Sequence, residues 1–212
     1  RAASGKDNVA ICGYHGWHDW YLSANHNAGD DLSSHLLSGL NPNGVPKNLK
    51  NTVYPFIYNN FEELLSIVDT NDIGVIKMEV VRNFGPEDNF LQKIRKVCSE
   101  KNIILVFDEC TSGFRETFGG LHKKYDVEPD MAIFGKALGN GYAITAVIGK
   151  KEIMEVLDPR GKILRHPHSG TFSANPISTT AGRVAMELFD EEAVLNLNTL
   201  TETAIHQIVF VA

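Results

Sequence analysis

The chain has 212 residues, 43% of them hydrophobic and 22% charged, enough for one domain or a large part of a bigger one. Twenty Lys and Arg stand against 26 Asp and Glu, a formal charge of −6, and no basic cluster reverses that balance, which excludes the electrostatic footprint of a nucleic-acid binder. No apolar run approaches the ~20 residues that a membrane-spanning helix needs.

Val9-Ala10-Ile11-Cys12 reads as a short strand running into the aromatic, glycine-bearing loop Gly13-Tyr14-His15-Gly16-Trp17-His18-Asp19-Trp20. From Asn27 to Pro55 the glycines, prolines, Asn and Ser predict one long irregular excursion, of a length that in compact domains tends to serve function. Asn60 predicts the cap of an amphipathic helix through Val68, followed by a strand from Ile73 to Val80. Pro86-Glu87-Asp88 predicts the first turn of a helix through Leu91, Ile94 and Val97. Ile103 to Asp108 is a continuous apolar run, the pattern of a strand buried on both faces.

The alternation continues with strands at Met131–Phe134 and Ile144–Ile148 and a helix at Lys151–Leu157. A longer helix is expected from Pro176 to Glu192, capped by Asn175, and another from Glu191 to about Ile208. Such alternation implies an α/β fold, a three-layer α/β/α domain on a mostly parallel sheet. Cys12, Cys98 and Cys110 lie far apart and read as reduced thiols of a cytoplasmic protein. The opening Arg1-Ala2-Ala3-Ser4-Gly5-Lys6 and the apolar close Ile208-Val209-Phe210-Val211-Ala212 both read as cuts through a longer protein.

Two polar residues end apolar runs 28 positions apart: Asp108 after Ile104-Leu105-Val106-Phe107, and Lys136 after Ala132-Ile133-Phe134-Gly135. Strand carboxyl ends are where open α/β sheets hold ligands. An acid and an amine presented there suit pyridoxal phosphate, whose aldehyde needs a lysine and whose ring nitrogen needs a carboxylate. Desolvation would leave Lys136 a free amine, as a Schiff-base lysine requires, although a surface lysine past a strand is equally consistent with its position. Asp108, next to Glu109, also fits a helix cap or a magnesium site.

Tyr14 or His15 is placed to stack on a planar ring, whereas a zinc reading of His15, His18 and His26 lacks a helix to align them. Thr171, in Gly170-Thr171-Phe172-Ser173-Ala174-Asn175-Pro176, precedes a helix start and suits a phosphate, or is part of an ordinary cap loop. Arg115 after Gly113-Phe114 suits a substrate carboxylate or a structural ion pair, with the structural role favoured.

Together these residues resemble the class III aminotransferases, pyridoxal phosphate enzymes of fold type I that include glutamate-1-semialdehyde 2,1-aminomutase. The resemblance rests on Arg1-Ala2-x-Ser4-Gly5-Lys6, Tyr14-His15-Gly16-x-His18-Asp19, Asp108-Glu109-x-x-x-Gly113-Phe114-Arg115, Phe134-Gly135-Lys136-Ala137-Leu138-Gly139-Asn140-Gly141 and Gly170-Thr171-Phe172-Ser173-x-Asn175-Pro176, in order from Arg1 to about Glu192. It implies that residues 1–192 are part of the cofactor-binding large domain and that 193–212 begin a connecting helix and a truncated tail.

The same resemblance implies that Lys136 carries the cofactor and moves the proton, that Asp108 holds the ring nitrogen, and that Tyr14 or His15 lies over the ring with Cys110 beneath. Thr171 would reach the phosphate of a partner subunit's cofactor, so a homodimer with shared active centres is expected. Glu79 matches the acid of the family's Glu-Pro strand end, with Val80 in place of the proline, and joins Arg115 as a substrate-binding candidate. The family's phosphate loop upstream of Arg1 and its small C-terminal domain have no counterpart here. The implied function is amino transfer between a small-molecule amino donor and a carbonyl acceptor, or an intramolecular aminomutase of the glutamate-1-semialdehyde type. Two other readings stand beside it: a magnesium-dependent phosphotransferase or hydrolase using Asp108 and Glu109, and a truncated, non-catalytic homologue that only dimerises or packs.

Overall fold

A computed structural model of the chain describes residues 1–26, 32, 40–161 and 166–209. Six strands form one sheet in the order β2-β1-β3-β4-β5-β6: β1 (Asn8–Cys12), β2 (Val53–Pro55), β3 (Ile73–Glu79), β4 (Ile104–Asp108), β5 (Met131–Phe134) and β6 (Ala146–Gly149). The first five run parallel and only β6 is antiparallel, against β5. Parallel neighbours demand crossovers; α-helices supply those from β2 to β3 and from β3 to β4, and a 3-10 turn at Leu121–Tyr125 lies in that from β4 to β5.

One sheet face packs Ala10, Cys12, Ile76, Met78, Leu105 and Phe107 against α2 (Phe61–Thr70) and α3 (Phe90–Glu100), whose Leu64, Val68, Leu91 and Ile94 are buried. The other face presents Val9, Ile11, Val53, Val75 and Val106 to the short helix α1 (Asp19–Leu22) and the 3-10 turn Ser23–His26, with Tyr21, Ala24 and Leu32 buried between. At the start of β5, Asp130 ties three elements together. It accepts from Arg95 of α3 at 2.8 Å, from the Leu105 amide of β4 at 2.8 Å and from Lys150 beyond β6 at 2.5 Å. Beyond β6 lie α4 (Lys151–Met154), α5 (Pro176–Leu188) and α6 (Glu191–Val209).

Several boundaries differ from the sequence expectation for local reasons. Asn60 does cap α2, accepting from the Glu63 amide at 3.2 Å. The helix expected to open at Pro86 starts only at Phe90, because Asp88 and Asn89 adopt left-handed backbone (φ 48° and 57°), which cannot continue into a helix turn. The strand expected from Ile144 begins at Ala146, since the amides of Tyr142 and Ile144 are spent closing the glycine turn. The helix from Lys151 tightens into a 3-10 turn at Glu155–Leu157.

The expected helix Pro176–Glu192 stops at Leu188, and Asp190 accepts from the Ala193 amide at 2.9 Å to open α6. Within the long excursion, residues 27–31 and 33–39 lie outside the described residues, while the described part contains β2 and a 3-10 turn at Lys47–Leu49. β2 escaped the sequence reading because it has three residues and ends in Pro55, a residue that a sheet tolerates at its edge.

Candidate active site

The carboxyl ends of β1, β3, β4 and β5 deliver the polar residues. Register pairs Glu79 with Asp108 and Lys77 with Val106, so Lys77, Glu79 and Asp108 share one sheet face. Asp108 is 9% exposed. His15 Nδ1 lies 3.0 Å from its Oδ2 and Lys77 Nζ 3.2 Å from the same oxygen, while the Cys110 amide donates to Oδ1 at 3.2 Å. Burial works against the charged carboxyl, but the His15 hydrogen bond and the Lys77 ammonium outweigh it and hold Asp108 well below the usual carboxylate range. Burial lowers the His15 imidazole against the raising effect of Asp108, so the ring is neutral near pH 7. The Nδ1 proton then goes to Asp108, and the buried Nε2 has no hydrogen-bond partner among the described residues.

The loop after β1 is fixed from below. Gly13 adopts φ +107°, and a Cβ there would stand 2.3 Å from Glu79 Oε2. Only glycine permits this approach. Tyr21 donates its hydroxyl to the Gly13 carbonyl at 2.9 Å, and Glu79 accepts from the Tyr14 amide at 3.3 Å and from Arg82 at 2.6 Å. Tyr14, 39% exposed, faces outward with Trp17 at 4.9 Å between ring centroids. Glu79 thus braces the Tyr14 loop. His18 stacks on Trp20 at 5.1 Å, away from His15, which is engaged on Asp108.

Lys136 follows β5 at the head of the 3-10 turn Lys136–Leu138, exposed and on left-handed backbone with φ 47°. That conformation costs a non-glycine residue about 1–2 kcal/mol, and such strain clusters where function positions a side chain. Its amine donates to the Thr111 hydroxyl at 2.7 Å, three residues past Asp108. Between the two strand ends sits Cys110, whose Sγ would lie 3.5 Å from a Cβ on Gly135. Burial, then the neighbouring Asp108, pushes its thiol up to about 11, leaving it a neutral packing group.

Glu109 points the other way. Fully buried, it accepts from the Ser112 hydroxyl, from the His122 amide at 3.0 Å and from His122 Nδ1 at 2.9 Å. The adjacent acids therefore serve separate networks, and the geometry gives a magnesium reading no shared pair of carboxylates. Arg115 is exposed, and its guanidinium has no ion-pair or hydrogen-bond partner among the described residues, unlike the structural ion pair favoured from sequence. Thr171 stands in an exposed turn before α5, where Asn175 accepts from the Ile177 and Ser178 amides at 3.1 and 3.2 Å. No contact joins Thr171 to Asp108 or Lys136 among the described residues, although α5 packs Gly182 against Ile144 beside the glycine turn that follows Lys136.

Lys77 and the Glu109–Ser112–His122 network were not singled out from sequence. Lys77 did leave a signal, as a lone cation inside an apolar strand two residues before Glu79. His122 left none, since only the fold brings it to Glu109.

The donor set fits a ligand with a basic ring nitrogen at one end and an aldehyde at the other. A carboxylate has about four acceptor positions, and three around Asp108 are taken by His15, Lys77 and the Cys110 amide. Oδ1, which meets only Cys110 among the described residues, can accept from a ring nitrogen, with an amine at the next strand end and an outward aromatic ring in the loop after β1.

Residues 13–208 match the profile of the family described as aminotransferase class-III. Among curated proteins, the chain is 36% identical over 200 residues to the glutamate-1-semialdehyde 2,1-aminomutase of Sulfolobus acidocaldarius, covering 92% of the chain and 46% of that protein. It is 32% identical over 205 residues to the 3-aminobutyryl-CoA aminotransferase of Cloacimonas acidaminovorans, covering 93% of the chain and 44% of that protein. A solved structure described as a transaminase with PLP bound superposes with a TM-score of 0.85 at 26% identity, over 96% of this chain and 48% of that one. The chain thus spans about half the length of the curated relatives it matches.

Proposed function

The chain belongs to the class III aminotransferase family, and from that premise we propose that it carries the pyridoxal phosphate site of an enzyme that transfers an amino group between a small-molecule donor and a carbonyl acceptor. The observation that carries this reading is the pairing of a buried Asp108 at the end of β4, its carboxylate held by His15, Lys77 and the Cys110 amide, with an exposed Lys136 on left-handed backbone at the end of β5. When bound, pyridoxal phosphate supplies an electron sink for the charge that develops on the substrate carbon.

The protein's own residues do the rest. Asp108 faces the ring nitrogen as its anion, and His15 and the Cys110 amide orient that carboxylate. Tyr14 covers one side of the ring and Cys110 fills the space on the other. Lys136 would hold the aldehyde end and, as a free amine, would carry the proton from the substrate carbon that bears the amino group to the carbon of the cofactor's aldehyde. Its single hydrogen bond among the described residues, to Thr111, leaves the amine free to move between those tasks. Arg115, exposed and unpaired among the described residues, faces a substrate carboxylate.

Thr171 serves the phosphate in the site of a second copy, so the assembly is a homodimer. The exposed apolar side chains Phe172, Ile177 and Leu188 at and after that turn support a covered surface there. No helix among the described residues is long and apolar enough to cross a membrane, and the reading places the enzyme in the cytoplasm.

An aminomutase would use the same residues with one carbon skeleton as donor and acceptor, and the 36% identity to such an enzyme favours it as the second reading. Titration with pyridoxal phosphate, followed by visible absorbance, tests the site. A band that forms in the wild type and is lost in Lys136→Ala supports it, and no band in the full protein overturns it. Supplying glutamate-1-semialdehyde alone, against an amino donor with a separate keto acid, then separates the two reactions.

A further inference from the structure

Resting on that cofactor reading, we propose that Lys77 is a positioning residue that shares the Asp108 carboxylate with the cofactor's ring nitrogen and so weakens the nitrogen's hold on its proton. The inference starts from an unusual placement. Lys77 sits inside β3, on the sheet face where its neighbours Val75 and Val106 are buried. Its side chain is only 15% exposed, against 11% for that of Asp108, and its ammonium lies 3.2 Å from Oδ2. A buried cation is costly unless paired, so this lysine is committed to that carboxylate.

Among the described residues, the groups around the ammonium leave Asp108 as its ion-pair partner. Asp108 approaches from β4, and His15, on the loop after β1, hydrogen-bonds the same Oδ2 at 3.0 Å. Trp20 of α1 places its ring centroid 5.7 Å from Nζ, an additional attraction for a cation. Glu79, two residues along the same strand face, is engaged with Arg82 at 2.6 Å. Cys110, the remaining titratable neighbour of the carboxylate, is neutral.

The consequence for the cofactor is electrostatic. A ring nitrogen keeps its proton because an anion faces it, and a like charge nearby disfavours the protonated form. Lys77 already supplies one full positive charge to that anion. A protonated ring nitrogen would be the second cation on one carboxylate, and its proton is held less tightly than a dedicated carboxylate would hold it. The same lysine neutralises Asp108 before any cofactor arrives, which keeps the acid buried and oriented.

The test loads the full protein with pyridoxal phosphate labelled with 15N at the ring nitrogen, and follows its chemical shift against pH in the wild type, Lys77→Met and Lys77→Arg. The expected midpoint rises by roughly one to two pH units in Lys77→Met and stays at the wild-type value in Lys77→Arg. Equal midpoints in all three proteins overturn the inference while leaving the cofactor reading intact. A visible band absent from all three overturns both. If Lys77→Met fails to fold by circular dichroism, Lys77→Gln carries the same expectation. As a readout without cofactor, carbon NMR of the unloaded protein is expected to show Asp108 titrating at higher pH once Lys77 is neutralised, and an unmoved Asp108 also counts against the proposal.

Discussion

Asp108 ends β4 in a buried setting with His15, Lys77 and the Cys110 amide all on its carboxylate, whereas Lys136 opens a turn after β5 in an exposed one with, among the described residues, Thr111 alone on its amine. The two strand ends are neighbours in one parallel ladder, yet one is over-determined and the other left loose. The difference matches what each side chain does in the proposed reaction. An acid that must remain a fixed anion gains from every donor and cation aimed at it. An amine that must bond, release and shuttle a proton loses from each extra restraint.

The contrast predicts that the two residues fail differently. The largest effect is on rate: Lys136→Ala should slow amino transfer by roughly 10²–10⁴-fold, while thermal unfolding stays within about 0.5 kcal/mol of wild type because the side chain is exposed. Asp108→Ala should instead damage the fold as well, since it strands Lys77 and His15 without their shared anion. A loss of about 3 kcal/mol is expected, read as a fall in Tm of roughly 6–12 °C. If both variants melt alike, the division between fixed acid and free amine is wrong.

A control sharpens the point. Glu109→Ala removes the buried acceptor of Ser112 and His122 and should cost about 2–3 kcal/mol by denaturant unfolding. Because Glu109 faces away from Asp108, cofactor affinity in the folded fraction should change far less than stability does. Thr111→Val releases the Lys136 amine from its hydrogen bond to Thr111 and should alter the rate by about fivefold, with an unchanged melting profile. This is the small effect expected of a loose restraint.

Acidification probes the tight end. His15 is held below its ordinary value near 6.5 by burial. As pH falls below that value the unfolded chain takes up the proton and the folded ring does not, so stability declines with it. Asp108, held low, adds its own loss further into acid, as the unfolded carboxyl protonates first. Melting curves between pH 8 and pH 5 should therefore slope downward, and His15→Gln should flatten that slope.

Much of this was legible in the sequence because it is local. The apolar run ending at Asp108, the Asn175-Pro176 helix start and the Asn60 cap each carry their structure in a few adjacent residues, and the strands and caps formed there. What escaped was non-local or set by backbone sign. Nothing near Pro86 announces that Asp88 and Asn89 adopt positive φ and delay α3. Glu79, a substrate candidate from sequence, also lies beside Gly13 and accepts from the Tyr14 amide, a bracing contact that only the fold reveals. Lys77 reaches Asp108 only across a strand pairing that no short window of sequence reveals.

The central claim is that these two strand ends hold one cofactor between them, with Lys136 as the lysine that bonds it. Borohydride reduction after pyridoxal phosphate is added, followed by peptide mapping, tests it most directly. The account predicts a single labelled peptide containing Lys136, with Lys77 unmodified because its ammonium is committed to Asp108. A label on Lys77, labels scattered over surface lysines, or no label in the full protein would contradict it.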